Sequence, residues 1–428
     1  MKRIILMVII MMLSGCACAA VSVRLEDTAA LLNSDGSVIV APGIYGDIVS
    51  LGGGLYAAGS REGYALMNSG GELLTMSEYG DLRLSGTTVL GSREGLWGLL
   101  DTDGQELSKF EYTKIVAADA GFWALKGSLS DQDSDELFLL DAEGGEHETG
   151  LFIRRIADAA SEGLIAVQEP ESLLWGYCDT DGKLVIPAQY SHAGRFTAGL
   201  AAVVQNTMYG AIDGHGSWVV PAEYDALEVS SGGFLLAHLR GEGTRVFSRD
   251  GSLLAEYHGE ETFAFLAGDG YGVVQGGQMR FYDAGGALLF EASRQASVQE
   301  GLNGAYILSD GVWGENCVSI AGTKHAYQNL YPLGMNGDEA LYACMQVNTA
   351  RYMNDLLGEI QLAVDMESAR YGVVNGSGEM LIPAEYESVQ YLGEGRLLLH
   401  IEGLWQMTDA RGAVLWSHGF RRIEEPSF

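Results

Sequence analysis

GLAAVVQNTMYGAIDGHGSWVVPAEYDALEV, residues 199–229, is the stretch on which the reading of the whole chain turns. After Gly199 comes a small-residue strand, Leu200 to Val204, then a polar turn and a second strand, Tyr209 to Asp213. A turn containing Gly216 leads into a third strand, Trp218 to Tyr224, and a shorter fourth follows. Short runs rich in Val, Ile and aromatics, punctuated by Gly, Asp and Asn, are strand and hairpin signals, and stretches with helical period are almost absent.

The glycine that closes the polar turn recurs about every 35 residues. The series is Gly36, Gly71, Gly104, Gly144, Gly182, Gly216, Gly251, Gly286, Gly322, Gly378 and Gly412, with one longer interval before Gly378. It divides residues 21–428 into eleven tandem β-repeats. With 59 glycines and only 7 prolines, the turns are expected to be made chiefly by glycine at positive φ. One such unit cannot bury its apolar face alone, so neighbours must stack to form a core. About four short strands per unit is the make-up of a propeller blade. The expected fold is therefore all-β, with tandem β-repeats forming propeller-like blades in one or two rings, or alternatively an open β-superhelix.

Trp97-Gly98 before DTDGQ, Trp175-Gly176 before YCDTDGKLVIPAQY, Tyr209-Gly210 before AIDGHGSWVVPAEY and Tyr371-Gly372 before VVNGSGEMLIPAEY share one pattern. It is an aromatic-Gly pair, a short strand, an Asp/Asn-x-x-Gly turn, a Val-Ile-Pro strand and a Tyr. This pattern resembles the bacterial WG-containing repeat, and the unit layout also resembles quinoprotein-type propeller blades. Elsewhere Tyr64-Ala65, Tyr271-Gly272, Trp313-Gly314 and Trp405-Gln406 are expected to fill the aromatic slot. Trp97, Trp175, Tyr190, Tyr209, Trp218, Tyr224, Tyr371 and Tyr386 are expected as repeat-core aromatics, with ligand stacking as the alternative. Pro187, Pro221 and Pro383 are expected at strand edges or bulges, because proline cannot donate to a ladder.

Residues 1–20, MKRIILMVIIMMLSGCACAA, place Lys2 and Arg3 ahead of an apolar run and then small residues, the build of a signal peptide. That run is too short to cross a hydrocarbon layer, which needs roughly 20 apolar residues. Leu13-Ser14-Gly15-Cys16 resembles the lipobox of bacterial lipoproteins, which implies lipidation at Cys16; cleavage after Ala19 is the alternative. The expected location is the outer face of a cell-envelope membrane, anchored only through the N-terminal lipid, or else secreted.

The formal net charge is −32, so the chain repels phosphate backbones, and nucleic acid is not an expected partner. Cys178, Cys317 and Cys344 show no metal spacing; they read as small buried hydrophobes, and only Cys317 and Cys344 lie where pairing is conceivable. HExxH, GxSxG, GxxxxGK[ST] and EF-hand patterns are absent, and the eight histidines are scattered over different units. No enzyme activity, cofactor or metal is therefore expected. Asp101-Thr102-Asp103-Gly104 and Asp179-Thr180-Asp181-Gly182 offer alternating carboxylates, but they lack a third oxygen position and a bidentate Glu, so they read as hairpin turns.

Two units carry insertions, 127–136 and 349–368, in the same connection, the hairpin between the glycine-led strand and the aromatic-Gly strand. The first is acidic, with Asp131, Asp133, Asp135 and Glu136; the second, with Tyr352, Met353, Leu356 and Leu357, is apolar and could form a short helix lined by Leu356, Leu357, Ile360 and Val364. Hairpins of one class emerge on one face of a regular array, and insertions there mark a binding face or, alternatively, drift. The expected role is a monomeric, non-catalytic envelope module that binds a protein, peptide or glycan. The alternative is an envelope enzyme or enzyme accessory with its site in a propeller channel.

Overall fold

The computed structural model describes residues 20–25, 28–118, 121–127, 135–258, 263–283, 285–294, 296–303, 305–309, 317–318, 324–325, 329–354 and 359–419. Every regular element among them is a β-strand. The strands form eleven antiparallel meanders, numbered here as sheets 1 to 11: 20–45, 47–68, 81–100, 114–153, 155–190, 192–224, 226–257, 263–293, 297–325, 329–386 and 388–419. Sheets 4 to 11 have four strands and sheets 1 to 3 have three. In sheets 2 and 3 the outer strand is reduced to isolated bridges, Tyr64 to Tyr79 and Trp97 to Tyr112. The all-β repeat class read from the sequence holds, and small stacked sheets of this kind are compatible with propeller blades and with an open solenoid alike.

Each turn before an outer strand is built the same way. Ten of the glycines that define the repeat have φ between 74° and 87°, a region that costs a residue with a Cβ; Gly322 lies outside the described residues. In eight of these turns the first residue ties the turn shut, and in sheets 1 and 7 Asp35 and Asp250, at the third position, accept from the amides of Ser37 and Ser252 instead. Asp101 Oδ1 accepts from the amides of Asp103 and Gln105, Asp179 Oδ1 from those of Asp181 and Lys183, and Asp213 Oδ1 from those of His215 and Ser217. The two DTDG segments are thus Asx turns whose leading carboxylate is already engaged by backbone.

The prolines sit at bulges. Opposite Trp175 and Tyr177 stand Tyr190 and Ile186, so the outer strand of sheet 5 carries two extra residues around Pro187. Sheets 6 and 10 show the same slip around Pro221 and Pro383. Tyr271-Gly272 does not fill the aromatic slot. It lies on the second strand of sheet 8, and the turn beginning at Asp283 places Met279-Arg280 in that slot on the third. Trp313-Gly314 lies outside the described residues.

The chain forms two compact units, one of Met1–Gly59, Met67–Glu72 and Gln295–Phe428, the other of Ser60–Leu66 and Leu73–Arg294. In each, the core lies between sheets. In the second unit Ala166, Tyr177, Ile186 and Tyr190 of sheet 5 pack on Phe196, Ala201, Val203 and Ile212 of sheet 6. In the first unit Val21, Val23 and Leu32 of sheet 1 pack on Leu398, Trp405 and Met407 of sheet 11, so the first repeat is the neighbour of the last. Turn glycines add a second contact between neighbours. A Cβ on Gly144 would stand 2.3 Å from Leu107 O of the preceding repeat, one on Gly251 2.4 Å from Val219 O, and one on Gly36 2.2 Å from Leu415 O.

Residues 349–354 and 359–368 are extended rather than helical. Glu339–Asn354 and Glu359–Asn375 are the two long strands of sheet 10, and their ladder runs continuously through the insertion apart from one slip. Thr349, Tyr352, Ile360 and Val364 favour extended backbone, and Ile360, Leu362 and Val364 alternate with Gln361 and Ala363 at the strand period.

Candidate functional site

Both insertions join the second and third strands of their sheets, sheet 4 and sheet 10. In sheet 10 the ladder is interrupted where Gln346 faces Arg370 and Asn348 faces Asp365, leaving residues 366–369 against Val347 alone. Ser368 Oγ holds this bulge, accepting from the amide of Asn348 at 2.7 Å and donating to Asp365 O at 2.6 Å. Beyond the bulge, 348–354 and 359–365 pair with each other. The first strand of the sheet reaches only Met345 and the fourth only Tyr371, so both edges of this two-stranded ribbon lack a ladder partner in the sheet. At about 3.3 Å per residue the ribbon is roughly 20 Å long.

At its base lies an open cleft of about 270 Å³ lined by Gln346, Val347, Asn348, Ser368, Arg370 and Ala384. Arg370 Nη1 donates to the carbonyls of Ala369 and Glu367, at 2.8 and 3.3 Å. In the register Thr349 is opposite Val364, Arg351 opposite Leu362, Tyr352 opposite Gln361 and Met353 opposite Ile360. Leu356 and Leu357, the other two residues of the expected apolar patch, lie outside the described residues. The bulge that sets the ribbon off from its sheet went unread, and the excess of residues 366–369 over their partner strand was its only signal.

The acidic insertion is placed differently from expectation. Asp131 and Asp133 lie outside the described residues, while Asp135 is 6% exposed and opens the third strand of sheet 4. Its Oδ2 accepts from Thr113 Oγ1 at 2.7 Å, and its Oδ1 has no partner among the described residues. Asp135 is therefore a structural residue rather than part of an exposed charge cluster; it is drawn in because the strand begins there. Glu136, half-buried, pairs across the ladder with Lys126.

The repeat aromatics divide by position. Tyr190 and Tyr224 are buried at the ends of outer strands, whereas Trp97, Trp175, Tyr209, Tyr371 and Tyr386 are half-buried. Trp218 is not core. It is 40% exposed at the start of an outer strand, where it covers Gly210 and meets Tyr190 edge-on with centroids 6.0 Å apart. Burial pushes the Cys178 thiol up to about 12 and the Cys344 thiol up to about 11; both are free, so Cys344 is not bonded to Cys317. Among the described residues no three His, Cys, Asp or Glu side chains gather as metal ligands.

Four stretches match the WG containing repeat: 97–122, 175–206, 209–237 and 371–405. Each WG stretch starts at the aromatic-Gly pair that faces its Tyr across the ladder, Trp97 with Tyr112, Trp175 with Tyr190, Tyr209 with Tyr224 and Tyr371 with Tyr386. No curated protein matches the chain. Among solved structures, a eukaryotic initiation factor is 13% identical at a TM-score of 0.42, covering 95% of this chain and 96% of that one. The dihydro-heme d1 dehydrogenase NirN is 14% identical at 0.31, covering 65% and 74%. PorZ, a surface component of the type-IX secretion system of Porphyromonas gingivalis, is 10% identical at 0.25, covering 95% and 80%. The architecture rests on the hydrogen-bonded ladders themselves, not on these likenesses.

Proposed function

We propose that this WG-repeat protein is a non-catalytic binding or scaffold module of the cell envelope, exported by residues 1–20, anchored through lipid on Cys16, and capturing a protein, peptide or glycan with the ribbon of sheet 10. The observation that carries the reading is the ribbon itself. Where sheet 11 closes the same connection with a short turn, sheet 10 extends two strands beyond their sheet partners, and neither edge has a ladder partner among the described residues. Unpaired strand edges are templates for another chain, and proteins ordinarily blunt or cover them.

Replacing 349–368 with a four-residue turn removes the ribbon and leaves 341–346 paired with 370–375. The shortened protein is expected to keep its melting temperature and to lose the partner recovered with the full chain from envelope extract. Recovery of every such partner at full yield would show that the ribbon does not bind. The anchor is checked separately. Acyl chains add about 0.8 kcal/mol of membrane affinity per buried methylene, so Cys16→Ser is expected to move the protein from the membrane to the soluble fraction, and unchanged fractionation refutes lipidation.

A further inference from the structure

We infer that the cleft at the base of the ribbon is a carboxylate-binding site, in which Arg370 takes up a carboxylate group of an extended peptide lying on the ribbon. The inference rests on the reading of the ribbon as the capturing element and names the group that its partner presents.

Arg370 is set apart first by its lack of a counterion. The half-buried cations Arg93, Lys114, Lys126, Arg245, Arg280 and Arg396 each meet a carboxylate of the chain. Arg370 is half-buried as well, yet among the described residues its partners are two main-chain carbonyls, Ala369 O and Glu367 O, both met by Nη1. In a chain of 57 acidic and 25 basic residues carboxylates are plentiful, and this guanidinium still has none. A charge drawn partly out of water without an opposite charge is costly, and a ligand carboxylate removes that cost.

The geometry suits such a ligand. With Nη1 held by the two carbonyls, Nε and Nη2 are left without a described partner, and these are the parallel donors that a carboxylate bridges. Gln346 faces Arg370 across the ladder and Asn348 also lines the cleft, so side-chain amides stand beside the guanidinium to donate to the same group. The residue before the aromatic-Gly pair is Leu96, Leu174 and Met208 in the other three WG stretches. Arginine takes that place in the one stretch that follows the ribbon and its bulge.

Local charge sets the kind of anion. Asp365 and Glu367 in the bulge and Glu385 next to Ala384 are exposed. They oppose a phosphate, with its second charge, more than a single carboxylate matched to one guanidinium. The ribbon supplies the peptide: its pairing begins at Asn348 and Asp365, so a strand added along either edge has one end at the cleft.

The test uses the full chain and three labelled hexapeptides of alternating Thr and Val, read by fluorescence anisotropy. One has a free C-terminal carboxylate, one a C-terminal amide, and one the amide with Glu in place of the last Val. At least one of the two acidic peptides is expected to bind about tenfold or more tighter than the plain amide, and which one does so separates a chain end from a side chain as the source. Arg370→Gln should abolish that difference and leave the affinity for the plain amide unchanged, which a general loss of structure would not do. Arg370→Lys, with the charge but not the fork, should keep only part of it. Equal binding of all three peptides, or a preference for acid that survives in Arg370→Gln, overturns the carboxylate site and leaves the ribbon proposal standing. Absence of binding by any of them at millimolar concentration overturns the site too, while capture from envelope extract judges the ribbon by itself. If the protein shortened at 349–368 binds the plain amide as the full chain does, it is the ribbon reading that falls, and this inference with it.

Discussion

Gly176, Gly210 and Gly372 do not have positive φ, so conformational freedom is not what places glycine after the aromatic. A Cβ on Gly176 would stand 2.4 Å from Ile186 O and 2.8 Å from Ala188 N; on Gly372 the distances to Ile382 O and Ala384 N are 2.5 and 2.7 Å. The bulge around the proline folds its backbone onto the glycine. Where that bulge is absent, so is the glycine: Arg245, Arg280 and Gln406 take the slot opposite regular partners Glu256, Glu291 and Ser417. In sheets 5, 6 and 10 the aromatic-Gly pair and the proline-bearing strand are therefore one device, whereas Gly98, with no proline opposite, is crowded by Phe110 and by Lys109 O. Gly176→Ala is expected to cost about 1–3 kcal/mol by forcing backbone apart, and Gln406→Ala within about 0.5 kcal/mol, as at an ordinary strand site. Chemical denaturation of the two variants checks this, and equal losses would refute the packing account. The turn and bulge chemistry was legible because Asp-x-x-Gly and proline each have a backbone reason. Exposure was not legible: Trp218 looks like a core aromatic by repeat position, and only its place at the start of an outer strand turns it toward solvent.

At the scale of elements, sheets 3 and 4 are joined by a polar contact that sets a pH window. Tyr112 donates to Glu146 Oε2 at 2.5 Å, and Lys126 reaches the same carboxylate at 3.3 Å and Glu111 at 2.9 Å. Burial pushes the Tyr112 hydroxyl up, and the neighbouring Glu146 adds to it. Burial alone would raise the Glu146 carboxyl, yet the hydrogen bonds from Tyr112 and Lys126 hold it below its usual value. The Glu146 contribution is thus present above the carboxylate range and lost as pH falls through its lowered folded value. The Tyr112 contribution is present below about pH 10 and lost as pH rises through the raised hydroxyl value. Glu146→Gln should flatten the acid limb of the melting-temperature profile while leaving the protein folded. An unchanged acid limb would show that other carboxylates govern it. None of this pairing could be read from the sequence, since Tyr112 and Glu146 come from different repeats. The ribbon was half legible: its apolar residues fit a helical spacing through Leu356, Leu357, Ile360 and Val364 as well as a strand spacing through Ile360, Leu362 and Val364, and the length of the flanking strands decided the matter.

For the molecule as a whole, the contact of the first repeat with the last is the feature that the order of the chain does not announce. Period alone divides residues 21–428 into like units but is silent on which unit follows the eleventh. Sheet 1 meets sheet 11 as consecutive sheets meet each other, through an apolar cluster containing Leu32, Leu398 and Met407 and through the Gly36 turn seated on Leu415 O. In a stack of repeats stability is roughly a sum of intrinsic terms and nearest-neighbour interfaces, so a repeat freed on one side frays first. Sheet 1 has only three strands, and its N-terminal strand, Ala20–Arg24, is nearly covered, with Val23 at 0% exposure. That coverage is shared between sheet 2 and sheet 11. Leu398→Ala removes a fully buried side chain from the shared cluster and should cost about 2–5 kcal/mol. The loss should appear as faster amide exchange in residues 20–45, although they are separated from Leu398 by most of the chain. Residues 200–224, whose neighbours are untouched, should exchange as in the parent protein. Faster exchange confined to 388–419, with 20–45 as protected as before, would mean that the first repeat owes its stability to sheet 2 alone and that its contact with the last adds nothing.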